Sequence, residues 1–172
     1  MNTMRRRDIS RFFRHLGTLH AHARWLFPPR TLDAIEAAIR TSEAAHRCEI
    51  RFVIEAAMPL REVWYGRTCR QRAQSLFRHL HIGRTEAHTG ILIYINVADR
   101  DIELIADRAI TETVEPGAWS KVVELLSQGF RQQQYLQSAL AALAELHTIA
   151  VTHLPARAGL QVNELSDRPL ML

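Results

Sequence analysis

The segment from Gly90 to Ile110, GILIYINVADRDIELIADRAI, constrains the fold of this chain more than any other part of it. Its first strand-like run is apolar on both faces apart from Tyr94 and Asn96, which is typical of a strand in the middle of a sheet. The loop ADRD and the returning run IELIA predict a β-hairpin. A strand that is apolar on both faces must be covered on both sides, so we expect a sheet flanked by helices.

A second strand is predicted before the hairpin, and a helix separates the two. CEIRFVIEA alternates apolar and polar positions, and a helical pattern then runs roughly from Leu60 to Leu80. This strand–helix–strand unit, between Cys48 and Val97, predicts a right-handed parallel crossover. Together with the hairpin it makes a mixed sheet, and further helices are predicted near residues 31–45, 116–130 and 136–150. A chain of 172 residues favours one domain, so the predicted fold class is a single layered α/β domain.

The first 30 residues carry the positive charge of the chain. They hold seven arginines against Asp8, a balance of +6, whereas the whole chain is +4, so residues 31–172 sum to −2. Apolar side chains recur there at helical spacing, and the arginines fall on the opposite side. We therefore predict an extra basic amphipathic helix that ends at Pro28-Pro29. Its apolar positions are Ile9, Phe12, Phe13, Leu16, Leu19, Ala23 and Leu26.

Three roles are open for this basic helix. Packing of its apolar face on its own domain or on a partner subunit is favoured, and contact with an anionic membrane surface or with a nucleic-acid backbone are the alternatives. Nucleic acid is disfavoured because the rest of the chain is slightly acidic and carries no recognition motif. The arginines predicted to dock on a partner or a membrane are Arg5, Arg6, Arg7, Arg11 and Arg14.

The acidic side chains of the hairpin cannot form one site. Asp101 and Asp107 are six strand steps apart, which is about 20 Å. Glu55 and Asp99 are instead expected to meet at the carboxyl ends of the parallel strands, where open α/β sheets bind ligands. Carboxylates that converge there would suit Ca²⁺ or Mg²⁺. The alternative is that Asp99 and Asp101 are solvated residues of a turn.

A second acidic location is predicted at the other end of the hairpin. Antiparallel pairing places Asp107 near Glu86 and His88, which would form an alternative metal site. A structural role, as a helix cap or as an ion pair with Arg108, is the competing interpretation of Asp107.

Other kinds of chemistry have little support in the sequence. The pairs His20/His22 and His79/His81 are two residues apart and would point away from each other on a helix. The two cysteines have no metal or redox spacing, and no nucleophile motif is recognisable. No apolar run reaches the ~18–20 residues of a membrane span, and no signal peptide is evident. We therefore expect a cytoplasmic protein, with the basic helix as a candidate peripheral contact to the inner membrane.

Four segments in order resemble the TPM-domain family. TGILIYINVADRDIELIADRAI is similar to the family pattern NGVLIYV-x-DR-x-VEI-x-ADRGI, and CEIRFVIE, IGRTE and VNELSDR also match. The resemblance covers about residues 31–168. Two departures are Ala109, where a glycine is usual, and Ser166, where the family tail has proline. The first removes backbone freedom beside Asp107 and could narrow any pocket there.

The resemblance implies an α/β/α sandwich with a mixed sheet. Plant members of the family are linked to weak acid phosphatase activity and divalent-cation binding, and the resemblance brings both in as expectations. We predict a basic arm at residues 1–30, a TPM-like domain at 31–155 and a tail at 156–172 that is short of regular structure. The leading hypothesis is a non-catalytic or weakly catalytic interaction module that binds through its arm. The alternative is a divalent-metal-dependent phosphatase, with Arg100 or Arg108 steadying the charge of the transferred group.

Overall fold

The computed structural model describes residues 6–18, 20–156 and 163–172, and for residues 6–8, 20 and 116 the description covers the backbone. The strands are β1 (Glu49–Glu55), β2 (Gly90–Asn96), β3 (Asp101–Ala106) and β4 (Leu170–Met171). The helices are α1 (Arg6–Gly17), α2 (His20–Leu26), α3 (Pro29–Glu43), α4 (Leu60–Trp64), α5 (Cys69–His79), α6 (Arg108–Thr111), α7 (Pro116–Arg131) and α8 (Tyr135–His153). A short 3-10 turn spans Ile82–Arg84.

The strands form one mixed sheet in the order β3-β2-β1-β4. β1 runs parallel to β2, and β2 pairs antiparallel with β3. The predicted parallel crossover unit and the predicted hairpin are therefore both confirmed. The pairing register places Glu55 opposite Asn96, and Asn96 opposite Asp101, so that these three residues form one row at the carboxyl end of β1.

Each face of the sheet carries its own core. Ile50, Phe52 and Ile54 of β1 belong to a cluster that also holds side chains of α3, α7 and α8. On the opposite face, Val53 and Tyr94 pack with residues of α4 and α5. Burial of each large apolar side chain contributes about 1.5–3 kcal/mol, so both clusters hold helices firmly on the sheet. The predicted α/β/α sandwich is confirmed.

Two of the predicted helices are divided. The pattern from Leu60 to Leu80 belongs to α4 and α5, because Gly66 takes a left-handed φ of +72° and Thr68 caps α5 in a reciprocal pair with Gln71. The predicted basic helix is likewise split into α1 and α2 after Gly17. Local breaks of this kind leave the periodicity of the apolar residues almost unchanged, so a periodicity argument overlooks them.

The C-terminal tail was predicted to be short of regular structure, and this was partly wrong. Leu170 and Met171 form β4, which pairs parallel with Val53 and Ile54 of β1. Two residues carry too little pattern to be recognised as a strand. They are held because β1 offers a free edge there, and Leu172 closes the pairing with a backbone hydrogen bond to the Ile54 carbonyl.

Candidate functional site

The predicted metal ligand Glu55 ends β1 and is buried. Its carboxylate is bound by Arg72 of α5, whose Nη2 lies 2.6 Å from Oε1 and whose Nε lies 3.1 Å from the same oxygen. The other oxygen, Oε2, accepts a 2.6 Å hydrogen bond from the hydroxyl of Tyr94. The carboxylate is therefore paired and hydrogen-bonded on both of its oxygens, which is what a buried charge requires.

A chain of hydrogen bonds connects Glu55 with the hairpin turn. Asn96 donates from Nδ2 to the Tyr94 oxygen at 2.9 Å, and its Oδ1 accepts from the backbone N–H of Asp99 at 2.9 Å. Burial and the neighbouring Glu55 raise the pKa of Tyr94 far above its usual range, so the phenol keeps its proton and acts as a donor. Tyr94 and Asn96 are the two polar positions of the otherwise apolar strand β2. Their presence there was the feature of the sequence that could have indicated a buried hydrogen-bond network.

Asp99 is held by the N-terminal helix. Arg11 donates from Nε to both carboxylate oxygens at 3.0 Å and from Nη2 to Oδ2 at 2.7 Å. Arg14 adds a longer contact of 3.4 Å, and the thiol of Cys69 donates to Oδ2 at 3.3 Å. The Asp99 side chain is 9% exposed, so the prediction that it is a solvated turn residue is wrong.

His15 completes the surroundings of Asp99. Its Nδ1 accepts the backbone N–H of Met58 at 3.0 Å, which places the ring proton on Nε2. Nε2 lies 3.1 Å from Asp99 Oδ1, a close polar contact whose alignment falls short of a hydrogen bond. Burial acts to raise the pKa of Asp99, but the N–H groups of His15 and Arg11 outweigh it and hold that pKa below its usual range.

The thiol of Cys69 is not an activated nucleophile. Burial raises its pKa first, and the negative charges of Asp99 and Asp101 raise it further. Nucleophilic attack by cysteine needs the thiolate, which positive surroundings favour and these surroundings oppose. Cys69 therefore acts here as a hydrogen-bond donor.

The two predicted ligands Glu55 and Asp99 are linked by hydrogen bonds through Tyr94 and Asn96. Each is bound by its own arginine, and the described residues contain no group of three or more His, Cys, Asp and Glu side chains that could hold a metal. Ca²⁺ takes six to eight oxygen ligands, and in this arrangement arginine side chains bind the oxygens of both carboxylates. A cation at Asp99 would first have to displace Arg11.

The second predicted location is built as a helix cap. Asp107 is the N-cap of α6 and accepts the backbone N–H of Arg108 at 2.7 Å. This agrees with the predicted structural role of Asp107 as a helix cap. Its Oδ2 lies 3.5 Å from Nδ1 of His88, which confirms that these two residues are neighbours. Glu86 is engaged through its backbone N–H, which donates to the carboxylate of Glu164 at 2.9 Å.

The orientation of α1 differs from the prediction. Phe12 packs on the domain as predicted, but Ile9, Phe13 and Leu16, which were expected to pack there too, are 44%, 62% and 53% exposed. Arg11 and the buried His15 face the domain instead. The reason is that Asp99 and the Met58 N–H provide polar partners that only the charged side of the helix can satisfy. Arg5 lies outside the described residues, and the side chains of Arg6 and Arg7 are not described.

The exposed stripe of α1 continues onto α4. Phe12 packs edge-on against Trp64, with ring centroids 5.9 Å apart. Trp64 and the adjoining Tyr65 are 58% and 74% exposed. We refer to the exposed residues Ile9, Phe13, Leu16, Trp64 and Tyr65 as the α1–α4 face. An exposed cluster of large apolar side chains of this kind marks an interaction surface more often than an isolated exposed residue does.

Replacing Asp99 by Asn is expected to loosen α1. The substitution removes the charge that Arg11 and Arg14 bind, and a hydrogen bond to a charged group contributes about 1.5–3 kcal/mol. Amide hydrogen exchange in residues 6–17 should therefore become about 10–100 times faster, while α8 exchanges as before.

The exposed Asp101, in the same turn, supplies the matched control for this experiment. Its Oδ1 accepts the N–H of the next residue, Ile102, so Asp101→Asn should leave exchange in α1 unchanged. Equal exchange rates of α1 in the wild type and in Asp99→Asn would contradict the role given to the Arg11–Asp99 pair.

The fold and its site define a three-layer α/β domain with a mixed sheet, in which a basic helix covers the carboxyl end of the parallel strands. The family model described as "TPM domain" matches residues 23–149, and the chain belongs to this family. A similar solved structure is the NMR structure of the BA42 protein from the psychrophilic bacterium Bizionia argentinensis. It has a TM-score of 0.73 and 22% identity, and the match covers 83% of this chain and 92% of that one. No curated protein sequence matches.

Proposed function

We propose that this chain is an interaction module of the TPM type, which docks on an anionic membrane surface through the α1–α4 face. The observation that carries the proposal is the exposure of Ile9, Phe13 and Leu16 on one side of α1. A helix of this kind lies in the membrane interface with its apolar side among the acyl chains. The neighbouring Trp64 and Tyr65 are of the residue types that favour the headgroup region.

Positive charge beside this face supports an anionic partner. The Arg14 side chain is 57% exposed, and Arg61 is an exposed residue whose guanidinium lies 5.9 Å from the ring centre of Tyr65. The sequence adds Arg6 and Arg7 in the first turn of α1 and Arg5 directly before them in the chain. Each basic residue near an anionic surface contributes about 1 kcal/mol of attraction, which salt weakens.

The role of Arg11 in this proposal differs from that of the other arginines. Its side chain is 19% exposed and binds Asp99, so it orients α1 on the domain and leaves the apolar stripe facing outward. In the described part of the chain, none of the helices is long and apolar enough to cross a membrane. Docking would therefore be peripheral, with the domain resting on the surface.

The double variant Phe13→Ser/Leu16→Ser tests this proposal by vesicle flotation. Wild-type protein is expected to float with vesicles that contain phosphatidylglycerol and to stay behind with vesicles of phosphatidylcholine alone. The double variant should partition at least about tenfold less, because each lost apolar side chain removes on the order of 1 kcal/mol or more of transfer free energy.

The double variant Leu140→Ser/Val151→Ser is the matched control. These two side chains are 36% and 37% exposed, but they lie on α8, away from the α1–α4 face. The control should float as the wild type does. Absence of flotation by the wild type, or equal flotation of the two double variants, would reject membrane docking through this face. If the wild type does not float with vesicles but captures another protein through the α1–α4 face, the face is assigned to a protein partner instead.

A divalent-metal-dependent phosphatase is the second candidate function. The hydrogen-bond chain that joins Glu55 to Asp99 favours it, because it brings two carboxylates to the end of the sheet at which α/β proteins bind ligands. Ca²⁺ or Mg²⁺ would require release of Arg11, and Glu86 with Asp107 is the other location. Calorimetric titration with both metals, together with an assay of phosphate release from a generic ester, separates this candidate from the docking module.

A further inference from the structure

A cavity of about 440 Å³ lies beside the β2–β3 turn, on the face of the sheet opposite α5. Three aromatic side chains form part of its wall: Phe27, Phe130 and Tyr135, whose ring centroids are 5.1–5.8 Å apart. Arg100 and Arg131 also line it. It thus joins an aromatic wall to cationic groups, close to the carboxyl ends of the strands.

Neither arginine of this cavity has a side-chain partner among the described residues. Elsewhere in the described chain most arginines bind carboxylates or backbone carbonyls, as Arg72 binds Glu55 and Arg51 binds the Ser166 carbonyl. Within residues 6–18, 20–156 and 163–172, neither Arg100 nor Arg131 makes an ion pair or a side-chain hydrogen bond. Two free guanidinium groups on one cavity are suited to an anion that accepts several hydrogen bonds, and phosphate is the anion that arginine recognises best.

The backbone around the cavity is held in an unusual conformation at two places. Arg100 has a φ of 53° and Gln133 a φ of 61°, and both residues line the cavity. Residues with a Cβ adopt this left-handed region when the surrounding structure imposes it. Backbone hydrogen bonds from Arg100 to Val97 and from Gln134 to Gly129 close the two turns. The side chains on these turns are thus presented from fixed backbone positions.

Positive charge dominates this cavity. Asp101 also borders it, but its carboxylate acts on the thiol of Cys69 in α5, on the other face of the sheet. The two guanidinium groups therefore favour an anionic ligand.

We propose that this cavity binds a nucleoside monophosphate or a phosphate monoester of the same chemistry. Arg100 and Arg131 bind the phosphate, and the base lies against the wall that includes Tyr135. The proposal is independent of membrane docking, because none of these residues belongs to the α1–α4 face. It also requires no metal ion.

Calorimetric titration with adenosine monophosphate, in the presence of EDTA, tests this proposal. Saturable binding is expected, with adenosine and inorganic phosphate each at least about tenfold weaker. Arg100→Gln and Arg131→Gln should each weaken binding by about 10–100-fold, the range for loss of a hydrogen bond to a charged group. Arg78→Gln, at an exposed arginine of α5 outside the cavity, is the matched control and should bind as the wild type does.

Three results would overturn the proposal. One is the absence of saturable binding of adenosine monophosphate to the folded wild-type protein. Another is an affinity that both cavity variants retain. The third is binding of inorganic phosphate as tight as that of the nucleotide, which would remove the nucleoside from the assignment. Circular dichroism of each variant establishes that it is folded, and both substituted side chains belong to exposed residues.

Discussion

Replacing Arg72 by Met is expected to lower the free energy of unfolding by about 3–5 kcal/mol, the cost of leaving one partner of a buried ion pair uncompensated. The Glu55 carboxylate is 3% exposed, and Arg72 approaches it to 2.6 Å. Without the guanidinium, Glu55 keeps the Tyr94 hydroxyl as a donor but loses the charge that balances it. Equilibrium unfolding in urea at neutral pH measures the effect.

Two further variants separate burial of charge from loss of packing. Arg67→Met removes a guanidinium that pairs with Glu62 at 3.4 Å, where the two side chains are 31% and 23% exposed, so it should cost about 1 kcal/mol or less. Adding Glu55→Gln to Arg72→Met removes the orphaned charge and should recover part of the lost stability. Similar losses for Arg67→Met and Arg72→Met would show that the Glu55–Arg72 pair is not buried as described.

Replacing Gly90 by Ala is expected to lower the free energy of unfolding by about 3 kcal/mol. A Cβ at this position would lie 2.0 Å from the Ile82 carbonyl oxygen and 2.8 Å from the carbonyl carbon. These are backbone atoms, which cannot turn aside as a flexible side chain does. Gly90 also pairs with Glu49 of β1 and accepts the Asp107 N–H, so any shift disturbs both neighbours.

Gly117→Ala is the matched control for this substitution. Gly117 lies in α7, and no described atom outside its immediate surroundings would come within 4 Å of the new Cβ. Alanine is the better helix former by up to about 1 kcal/mol, so stability should be unchanged or slightly higher. Thermal unfolding of both variants measures the difference. A Gly90→Ala protein as stable as the wild type would mean that the turn at Ile82 yields more easily than its backbone contacts indicate.

Part of the site could be predicted because strand pairing follows from local pattern. Once CEIRFVIE and GILIYINV are taken as adjacent parallel strands, Glu55 and the hairpin turn must lie at the same end of the sheet. The position of Asp107 beside His88 follows from the antiparallel register in the same way. What register cannot supply is the partner of each acid. Arg72 stands on a helix whose rotation about its axis is set by packing, and nothing in its sequence neighbourhood marks it.

The N-terminal helix shows where prediction from sequence ended. Its periodicity correctly indicated an amphipathic helix, and packing by the apolar side was the favoured interpretation. The structure turns Arg11 to Asp99, 88 residues further along the chain, and leaves Phe13 exposed. A helical pattern defines two faces but does not say which one meets the domain. That choice depends on the polar groups of the domain surface that the helix contacts, here Asp99 and the Met58 N–H.

The sequence by itself determined the layered α/β architecture, the parallel unit and the hairpin, because each rests on spacing between neighbouring residues. Its motifs also carried the resemblance to the family. The tertiary structure alone decided that Glu55 and Asp99 are bound by arginines, that β4 completes the sheet, and that Arg100 and Arg131 share a cavity. The physical reason is that a charged side chain takes the partner that is nearest in space. Distance in space depends on how the helices pack, which no local pattern records.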